Sequence, residues 1–284
     1  RVDDLATVGV HAEPPGRVAL GVPVVALAHP QEVASEAELL AREAAGVTRT
    51  QYFAGTELSP EAAERLAAWA GRRETREPAP YITGHREFFG REFAVGRGVL
   101  VPRPETELLV ELGLAELKAD PEAIVLEAGT GSGAVAVSIA AEQPGARVIA
   151  TELSPAALAF ARINAARHAP TLALLLGDLA SAVATASVVL ANLPYIPRGE
   201  IEALEPEVSK WEPRVALDGG EDGYEIIRRL IEDCATRLRP RLLALEVGFG
   251  QAEDVAAILR ETGVEPWSVK DLAGIDRIVC ARWR

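Results

Sequence analysis

Short apolar runs alternate with helix-like stretches over the second half of the chain. The predicted strands span residues 124–127, 147–151, 172–176, 187–191, 242–247 and 277–281. The stretches with helical spacing of apolar positions span residues 134–142, 155–168, 224–238 and 251–261. Alternation of apolar strands with helices is typical of a mostly parallel sheet covered by helices on both faces. The pattern therefore predicts an α/β domain.

The first part of the chain has helical spacing instead. From Val33, apolar residues recur on one helical face. A second helix is predicted to begin at Ser59-Pro60 and to run to about Arg73, because Ser is a good N-cap and Pro fits the first helical position. Residues 1–30 are interrupted repeatedly by Gly and Pro, show no clean period and are left unplaced. The region therefore predicts a small helical domain.

A third pattern lies between these two regions. Residues 81–84 and 87–90 resemble short strands that end in glycine turns, and residues 93–95 add another β-like piece. Such pieces punctuated by Gly predict a hairpin that joins the two domains. Two prolines then bracket Arg103, and a helix is predicted over residues 105–118.

Composition narrows the class of protein. The chain has 284 residues, of which 49% are hydrophobic and 25% charged, as in an ordinary globular protein. A net charge of -13 would repel nucleic-acid phosphates unless Lys and Arg were concentrated locally. No apolar run approaches the roughly 18 residues of a membrane span. Two distant cysteines and four scattered histidines predict a cytoplasmic protein with no disulfide framework and no metal site.

A glycine-rich turn follows the strand at 124–127. It consists of Gly129, Thr130, Gly131, Ser132 and Gly133. Glycines allow a ligand to approach the backbone, and the following helix offers free N–H donors. Glu152 ends the next strand and can accept hydrogen bonds from a ribose. The turn alone fits S-adenosylmethionine and NAD about equally, because Gly129, Gly131 and Ala134 also satisfy the dinucleotide-binding pattern G-x-G-x-x-A. A tight turn that binds no ligand is the third possibility. Asp178 could bind an adenine amino group or simply cap a turn.

The tetrad Asn192-Leu193-Pro194-Tyr195 directly follows the apolar strand at 187–191. Ligands of open α/β sheets bind outside the carboxyl ends of the strands. There, the Asn192 amide oxygen and the Leu193 backbone carbonyl could accept both N–H groups of a substrate amino group, and Tyr195 could stack on a planar amide or base. Hydride transfer to NAD has no use for this clamp. Together with the turn and Glu152, the tetrad favours methylation of a planar nitrogen over an ordinary Asn-Pro turn.

From about Ala34 to the C-terminus, the chain resembles a known family. The matching segments are Arg76-Glu77-Pro78, Tyr81-Ile82-Thr83-Gly84, Arg86-Glu87-Phe88, Val101-Pro102-Arg103-Pro104-Glu105-Thr106-Glu107, Trp211-Glu212-Pro213-Arg214 and Asp218-Gly219-Gly220-Glu221-Asp222-Gly223. They resemble the glutamine N5-methyltransferases of peptide chain release factors, often called HemK or PrmC. The related ribosomal-protein glutamine methyltransferases share the tetrad but differ around Arg103–Glu107, so the release-factor branch is preferred.

The resemblance implies a fold and a set of ligands. It implies a helical N-terminal domain for substrate recognition over residues 1–75, a β-hairpin linker over 76–103 and a seven-stranded, Rossmann-like methyltransferase domain over 104–284. The residues that would bind S-adenosylmethionine are Gly129, Thr130, Gly131, Ser132, Gly133, Glu152, Asp178, Leu179 and Asn192. The residues that would hold a release-factor glutamine are Asn192, Leu193, Pro194 and Tyr195, with Asn192, Pro194 and Tyr195 catalytic. A monomer without membrane or direct nucleic-acid contacts is expected.

Three positions depart from the family pattern. Leu193 replaces a proline, which keeps the carbonyl acceptor but loses the fixed φ angle. Glu152 stands where Asp is common, and Leu179 stands where some members carry an aromatic residue beside the adenine. The alternatives that stay open are a glutamine methyltransferase of a ribosomal protein, a DNA adenine N6-methyltransferase, an NAD oxidoreductase and a non-catalytic module that kept the fold. The excess of acidic over basic residues argues against DNA as the substrate.

Overall fold

The computed structural model describes residues 30–55 and 57–283, with side chains from residue 36 onwards. Of the unplaced stretch at 1–30, residues 1–29 lie outside the described residues, and so does the side chain of Val33. The chain divides into two compact units, of which the first ends at Thr83 and the second begins at Gly84.

The first unit is helical, as the sequence predicts. Its helices are α1 (Pro30–Ala45), α2 (Arg49–Phe53), α3 (Pro60–Glu74) and α4 (Ala79–Thr83). Helix α3 begins where predicted, because the Ser59 hydroxyl accepts a hydrogen bond from the Ala62 N–H. A cluster of buried apolar residues in this unit consists of Leu40, Ala41, Ala44, Leu66, Ala79 and Ile82. An ion pair between Arg73 Nε and Glu36 Oε2 at 2.8 Å adds a charged link between α3 and α1.

The predicted strand at 81–84 is wrong, since this stretch belongs to the short helix α4. Tyr81 and Ile82 favour strands by local propensity. However, their N–H groups both donate to the carbonyl of Pro78, and both side chains are buried. Both residues belong to the helical unit, which ends at Thr83. Tertiary burial therefore overrides the local preference, and Gly84 at φ +84° follows the helix.

The hairpin is present and belongs to the second unit. Strand β1 (His85–Phe88) pairs with β2 (Arg91–Ala94) in antiparallel register. Phe89 and Gly90 form the two-residue turn, and both have positive φ, as a type I′ turn requires. The side chains of Phe88 and Phe93 are buried in the core of this unit. The hairpin is thus anchored to the α/β domain by its aromatic residues.

Within the described part of the chain, seven strands form one sheet, as the family resemblance implies. They are β3 (Ile124–Ala128), β4 (Arg147–Glu152), β5 (Ala173–Leu176), β6 (Val188–Asn192), β7 (Leu242–Glu246), β8 (Trp267–Lys270) and β9 (Asp276–Ala281). Their order is β5-β4-β3-β6-β7-β9-β8, with β9 antiparallel to its neighbours and the others parallel. Strand β8 was not predicted, because it is a mostly exposed edge strand and lacks an apolar run.

Helices cover both faces of the sheet. They are α5 (Glu107–Ala119), α6 (Ala134–Glu142), α7 (Pro155–His168), α9 (Glu225–Asp233) and α10 (Ala252–Glu261). A further helix, α8 (Pro206–Ser209), has four residues, none of them buried. Successive strand residues point to opposite faces, so Val125 packs in the core with α5 and α6, whereas Leu126 packs in the core with α9 and α10. The two-faced α/β architecture is confirmed.

The helix predicted over 224–238 is divided in two. Helix α9 ends at Asp233 and a π-helical turn continues over Cys234–Leu238 to Arg239, which has φ +42°. Cys234 is fully buried, and burial raises the pKa of its thiol to about 12. The stretch 198–216 holds α8 and two short 3₁₀ helices that the sequence does not signal. No helix of the described residues is long and apolar enough to cross a membrane.

Candidate active site

Four predicted ligand segments lie at the carboxyl edge of neighbouring strands. The glycine-rich turn follows β3, Glu152 ends β4, Asp178 follows β5, and the tetrad begins at the last residue of β6. These strands are consecutive in the sheet, in the order β5-β4-β3-β6. The fold therefore places together segments that lie up to about 65 residues apart in sequence, at the edge where ligands of such sheets bind.

The glycine-rich turn is held by the neighbouring strand. The N–H groups of Gly129 and Thr130 both donate to the carbonyl of Thr151, each at 2.9 Å. Gly129 has φ +75°, and a Cβ atom there would lie 3.1 Å from Leu193 Cδ2. Glycine is therefore favoured both by the backbone angle and by the close approach of the tetrad.

The buried carboxyl group of Glu127 forms hydrogen bonds to the same turn and to the helix that follows it. Glu127 Oε2 accepts hydrogen bonds from the Thr130 hydroxyl and from the Ala136 N–H, the latter at 2.9 Å. Burial raises the pKa of Glu127 to about 8, although these two hydrogen bonds act in the opposite direction. Glu127 thus ties the turn to the first residues of α6. From the sequence, Glu127 was placed at the end of the preceding strand and was given no role.

Glu152 also braces the turn. Its Oε2 accepts the Gly131 N–H and its Oε1 accepts the Ser154 N–H, both at 2.8 Å. The residue is 8% exposed. A carboxylate has about four acceptor positions, so these two bonds leave capacity for ligand hydroxyl groups. The position of Glu152 beside Gly131 is consistent with the predicted ribose contact.

Asp178 and Leu179 lie on the turn that follows β5. Asp178 forms an ion pair with Arg229 of α9 at 2.5 Å. Leu179 adopts φ +48°, which is rare for a residue with a Cβ, and its carbonyl accepts a hydrogen bond from the Thr151 hydroxyl at 2.7 Å. Thr151 thereby connects the Leu179 turn to the glycine-rich turn. The predicted adenine contacts of both residues stay predictions.

The tetrad residues have different environments. Asn192 is half-buried, and its Nδ2 donates to the Thr106 hydroxyl oxygen at 3.1 Å. The Leu193 side chain is buried at 4% exposure among the apolar residues beneath the sheet edge. Pro194 and Tyr195 are partly exposed. Burial and the charge of Glu246 raise the pKa of the Tyr195 hydroxyl.

A glycine-containing loop packs against the backbone of the tetrad. A Cβ at Gly219 would lie 2.8 Å from the Pro194 carbonyl oxygen, and one at Gly223, where φ is +84°, would lie 2.5 Å from the Tyr195 carbonyl oxygen. Gln251 Nε2 donates to that same Tyr195 oxygen at 2.8 Å. The resembling segment at 218–223 is therefore part of the site, because it fixes the path of the chain after the tetrad.

The resembling segments at 101–107 and 211–214 contact each other in the second unit. Arg103 forms an ion pair with Glu212 at 2.5 Å, and the Val101 N–H donates to the same carboxylate at 3.2 Å. Burial raises the pKa of Glu212, whereas Arg103 acts to lower it. The guanidinium of Arg97 lies 4.7 Å from the Trp211 ring centroid. These contacts join the segment before α5 to the loop that follows the tetrad.

Sequence reasoning missed three residues that complete this arrangement: Thr106, Glu246 and Gln251. Thr106 lies inside a resembling segment, but nothing in the sequence pairs it with Asn192. Glu246 is a charged residue at the end of the otherwise apolar strand β7, and that position was the available signal. Among the residues that the structure describes, no group of three or more His, Cys, Asp or Glu side chains could hold a metal ion.

Family models match both units of the chain. The PrmC N-terminal domain matches residues 26–84, and a methyltransferase domain matches residues 125–211. The second match covers the glycine-rich turn, Glu152 and the tetrad.

Relatives of known name match almost the whole chain. The release factor glutamine methyltransferase of Cereibacter sphaeroides is 44% identical over 92% of this chain and 95% of its own length. The protein of the same name from Geobacter sulfurreducens is 39% identical over 87% of this chain and 88% of its own length.

Solved structures resemble the fold at low identity. The crystal structure of the hMettl16 catalytic domain matches with a TM-score of 0.55 and 16% identity, over 78% of this chain and 81% of that one. The T. thermophilus rRNA methyltransferase RsmC, in complex with AdoMet and guanosine, matches with a TM-score of 0.50 and 20% identity, over 70% of this chain and 50% of that one. At such identity the likeness shows the methyltransferase fold alone.

Proposed function

Because the chain belongs to the release factor glutamine methyltransferase family, we propose that it methylates the side-chain amide nitrogen of the glutamine in the Gly-Gly-Gln motif of peptide chain release factors, with S-adenosylmethionine as methyl donor. The observation that carries the proposal is the closeness of the turn and the tetrad. A Cβ at Gly129 would lie 3.1 Å from Leu193 Cδ2, so the two segments lie too close together for an unstrained side chain at position 129. Ligands bound to each would therefore be neighbours.

The residues around the turn fit S-adenosylmethionine. The turn precedes the N-terminus of α6, where N–H groups of the helix can donate hydrogen bonds to a ligand. Gly129–Gly133 would hold the methionine portion, Glu152 the ribose, and Asp178 with Leu179 the adenine. When bound, S-adenosylmethionine supplies a methyl group on a positively charged sulfur, which is a good electrophile.

The tetrad would hold and orient the substrate amide. The Asn192 side-chain oxygen and the Leu193 carbonyl each accept one N–H of the glutamine side chain, which fixes the rotation of its NH2 group. Pro194 and Tyr195 pack on the amide plane and exclude water. An amide nitrogen is poorly basic, so catalysis rests on alignment and desolvation, which can contribute roughly 7–11 kcal/mol in well-oriented reactions.

The helical domain over 1–75 would recognise the body of the release factor, and residues 76–103 would link it to the methyltransferase domain. The match to the PrmC N-terminal domain supports a separate N-terminal domain, and it extends past residue 75 to residue 84. We also expect the protein to act as a cytoplasmic monomer without direct nucleic-acid contacts, since its substrates are soluble translation factors and its net charge is -13.

A methyl-transfer assay with three acceptors tests the proposal. The purified protein is incubated with radiolabelled S-adenosylmethionine and with a release factor, with the same release factor carrying Gly-Gly-Ala instead of Gly-Gly-Gln, or with duplex DNA. We expect label on the first acceptor alone. Label on the Gly-Gly-Ala protein would move the target to another residue, and label on DNA alone would make the protein an adenine methyltransferase.

A further inference from the structure

A buried carboxyl group lies beside the substrate clamp. Glu246 ends strand β7 and pairs in register with Asn192 on the adjacent strand β6. It is 2% exposed, and its Oε2 atom is buried without a hydrogen-bond partner in the described part of the chain. A buried carboxyl group with an unsatisfied oxygen is costly, so its presence at the site calls for a functional reason.

Thr106 connects this carboxyl group to the clamp. The Thr106 hydroxyl acts on the Glu246 carboxyl group as a hydrogen-bond donor that lowers its pKa, and the Thr106 oxygen accepts the Nδ2–H of Asn192 at 3.1 Å. Thr106 is itself 6% exposed. A hydroxyl group has one hydrogen to donate, so the direction of the first bond decides the direction of the second.

The direction matters because the two ends of the Asn192 amide have nearly the same shape. Only hydrogen bonds decide whether the oxygen or the NH2 group faces a substrate. An ionised carboxylate can only accept, so Glu246 draws the single Thr106 hydrogen towards itself. The Thr106 oxygen is then left to accept from Asn192, which holds the NH2 end and leaves the Oδ1 end for a substrate N–H.

We propose that Glu246 and Thr106 are positioning residues, which together hold the Asn192 amide with its oxygen towards the substrate nitrogen. The proposal rests on the proposed function, because an amide or amine N–H is the group that needs an oxygen at that point. It also gives a role to Thr106 within the segment Arg103–Glu107.

The charges around Glu246 give the arrangement a pH dependence. Burial raises the pKa of Glu246 to about 7, Arg277 and Arg103 act to lower it, and Glu105 acts to raise it. Tyr195 also faces the carboxyl group. Below this pKa the carboxyl group carries a proton that it can donate to Thr106, so the Thr106 hydrogen can turn to Asn192 Oδ1. The clamp is therefore expected to lose its fixed orientation as the pH falls through about 7.

Three variants of the full-length protein test the proposal. Thr106→Val removes the hydroxyl with little change of shape, Thr106→Ser is the matched control that keeps it, and Glu246→Gln replaces the accept-only group by one that can donate. Expected kcat losses at saturating S-adenosylmethionine are about 100-fold for Thr106→Val, about 10-fold for Glu246→Gln and less than about 3-fold for Thr106→Ser, in the range of losing one preorganised contact. The KM for S-adenosylmethionine should stay within about 2-fold of wild type.

The kinetic pH profile separates positioning from a purely structural role. Wild-type kcat should rise as the pH passes about 7, and this limb should be absent from Glu246→Gln. A Thr106→Val enzyme that keeps more than a third of the wild-type kcat, or a Thr106→Ser enzyme as impaired as Thr106→Val, would overturn the role of Thr106. A limb that persists in Glu246→Gln would overturn the role of Glu246.

A spectroscopic measurement tests the proposal without any activity. The sequence contains two asparagines, Asn164 and Asn192, so selective ¹⁵N-asparagine labelling gives two side-chain NH2 signals, with Asn164 as internal reference. The Asn192 signal should titrate with a midpoint near pH 7 in wild type and Thr106→Ser, but not in Glu246→Gln or Thr106→Val. An Asn192 signal that is the same in all four proteins would refute the proposal. Absence of methyl transfer by the wild type would instead refute the proposed function.

Discussion

At the scale of single residues, Asn192 is the side chain on which the proposed chemistry depends most. It is half-buried at the end of β6, and its Nδ2 donates a hydrogen bond to the Thr106 hydroxyl oxygen. We expect Asn192→Ala to lower kcat by about 100- to 1,000-fold, because one preorganised contact to the reacting group is lost. The dissociation constant of S-adenosylmethionine, measured by calorimetry, should change little, because the turn and Glu152 are untouched.

Glu200→Ala is a suitable control for that measurement. Glu200 is exposed and lies in the loop that follows the tetrad, so its replacement leaves the clamp intact. An Asn192→Ala enzyme that is as active as this control would show that the clamp has been assigned to the wrong residue. Weakened cofactor binding in Asn192→Ala would instead place Asn192 mainly on the cofactor side.

For Glu127, we predict an effect on the stability of the fold rather than on activity. Its pKa is raised from 4.5 to about 8 by burial, so the folded protein keeps a proton that the unfolded chain releases. The contribution of Glu127 is therefore fully present below about pH 4.5 and is lost as the pH rises to about 8. The free energy of unfolding of wild type should fall more steeply over this window than that of Glu127→Gln.

Denaturant titrations of both proteins at several pH values between 4.5 and 8 measure this difference. Glu246, whose pKa is raised to about 7, is present in both proteins, so its contribution cancels in the comparison. Parallel curves for wild type and Glu127→Gln would mean that Glu127 is ionised in the folded state at neutral pH.

At the scale of elements, Asn164 of α7 links the hairpin to the glycine-rich turn. Its Oδ1 accepts the Ala94 N–H at 2.7 Å, and its Nδ2 donates to the carbonyls of Ala94 at 3.1 Å and Ser132 at 2.8 Å. The residue is fully buried. One side chain thus satisfies three backbone groups from two different segments, which positions the turn relative to the hairpin.

We expect Asn164→Leu to destabilise the fold by several kcal/mol, because each buried backbone group left without a partner costs about 1–3 kcal/mol. S-adenosylmethionine binding should weaken as well, since the Ser132 carbonyl belongs to the turn. Thermal unfolding and calorimetry measure the two effects. Ile163→Ala is the control, because Ile163 is the neighbouring residue on α7 and is 55% exposed. Equal stability of the two variants would contradict the linking role.

The comparison of sequence with structure is most informative at this scale. Long apolar strands and helices with clear start signals, such as α3 at Ser59-Pro60, were predicted within a few residues. The prediction was wrong at α4, where Tyr81 and Ile82 favour a strand by local propensity but are buried in a helix. Strand β8 was missed because it has too few apolar residues to be recognised in the sequence. The segments that carry the site were found, but the bond between Thr106 and Asn192 was not, since it joins residues 86 positions apart.

At the scale of the whole molecule, the boundary between the two units decides which parts of the chain fold together. The resemblance places a linker at 76–103, but the second compact unit begins at Gly84 and includes the hairpin. Phe88 and Phe93 lie in the same buried cluster as residues of α5 and α6. The hairpin therefore contributes to the core of the methyltransferase domain rather than only joining it to the helical domain.

Two fragments distinguish these views of the boundary. Residues 84–284 keep the hairpin and should unfold cooperatively and bind S-adenosylmethionine. Residues 104–284 lack Phe88 and Phe93, and the loss of a buried Phe costs about 3–5 kcal/mol, which for two residues approaches the whole stability of a domain. We expect this shorter fragment to aggregate or to unfold without a cooperative transition in circular dichroism. Equal stability of the two fragments would make the hairpin a linker alone.

The longer fragment also tests the role of the helical domain. If residues 1–75 recognise the body of the release factor, residues 84–284 should methylate a short peptide with Gly-Gly-Gln as fast as the full chain does, because both keep the turn, Glu152 and the tetrad. Towards an intact release factor, kcat/KM of the fragment should fall by at least about 10-fold, the equivalent of about 1.4 kcal/mol of lost binding energy. A fragment that methylates the intact protein as efficiently as the full chain would mean that recognition resides in residues 84–284 themselves.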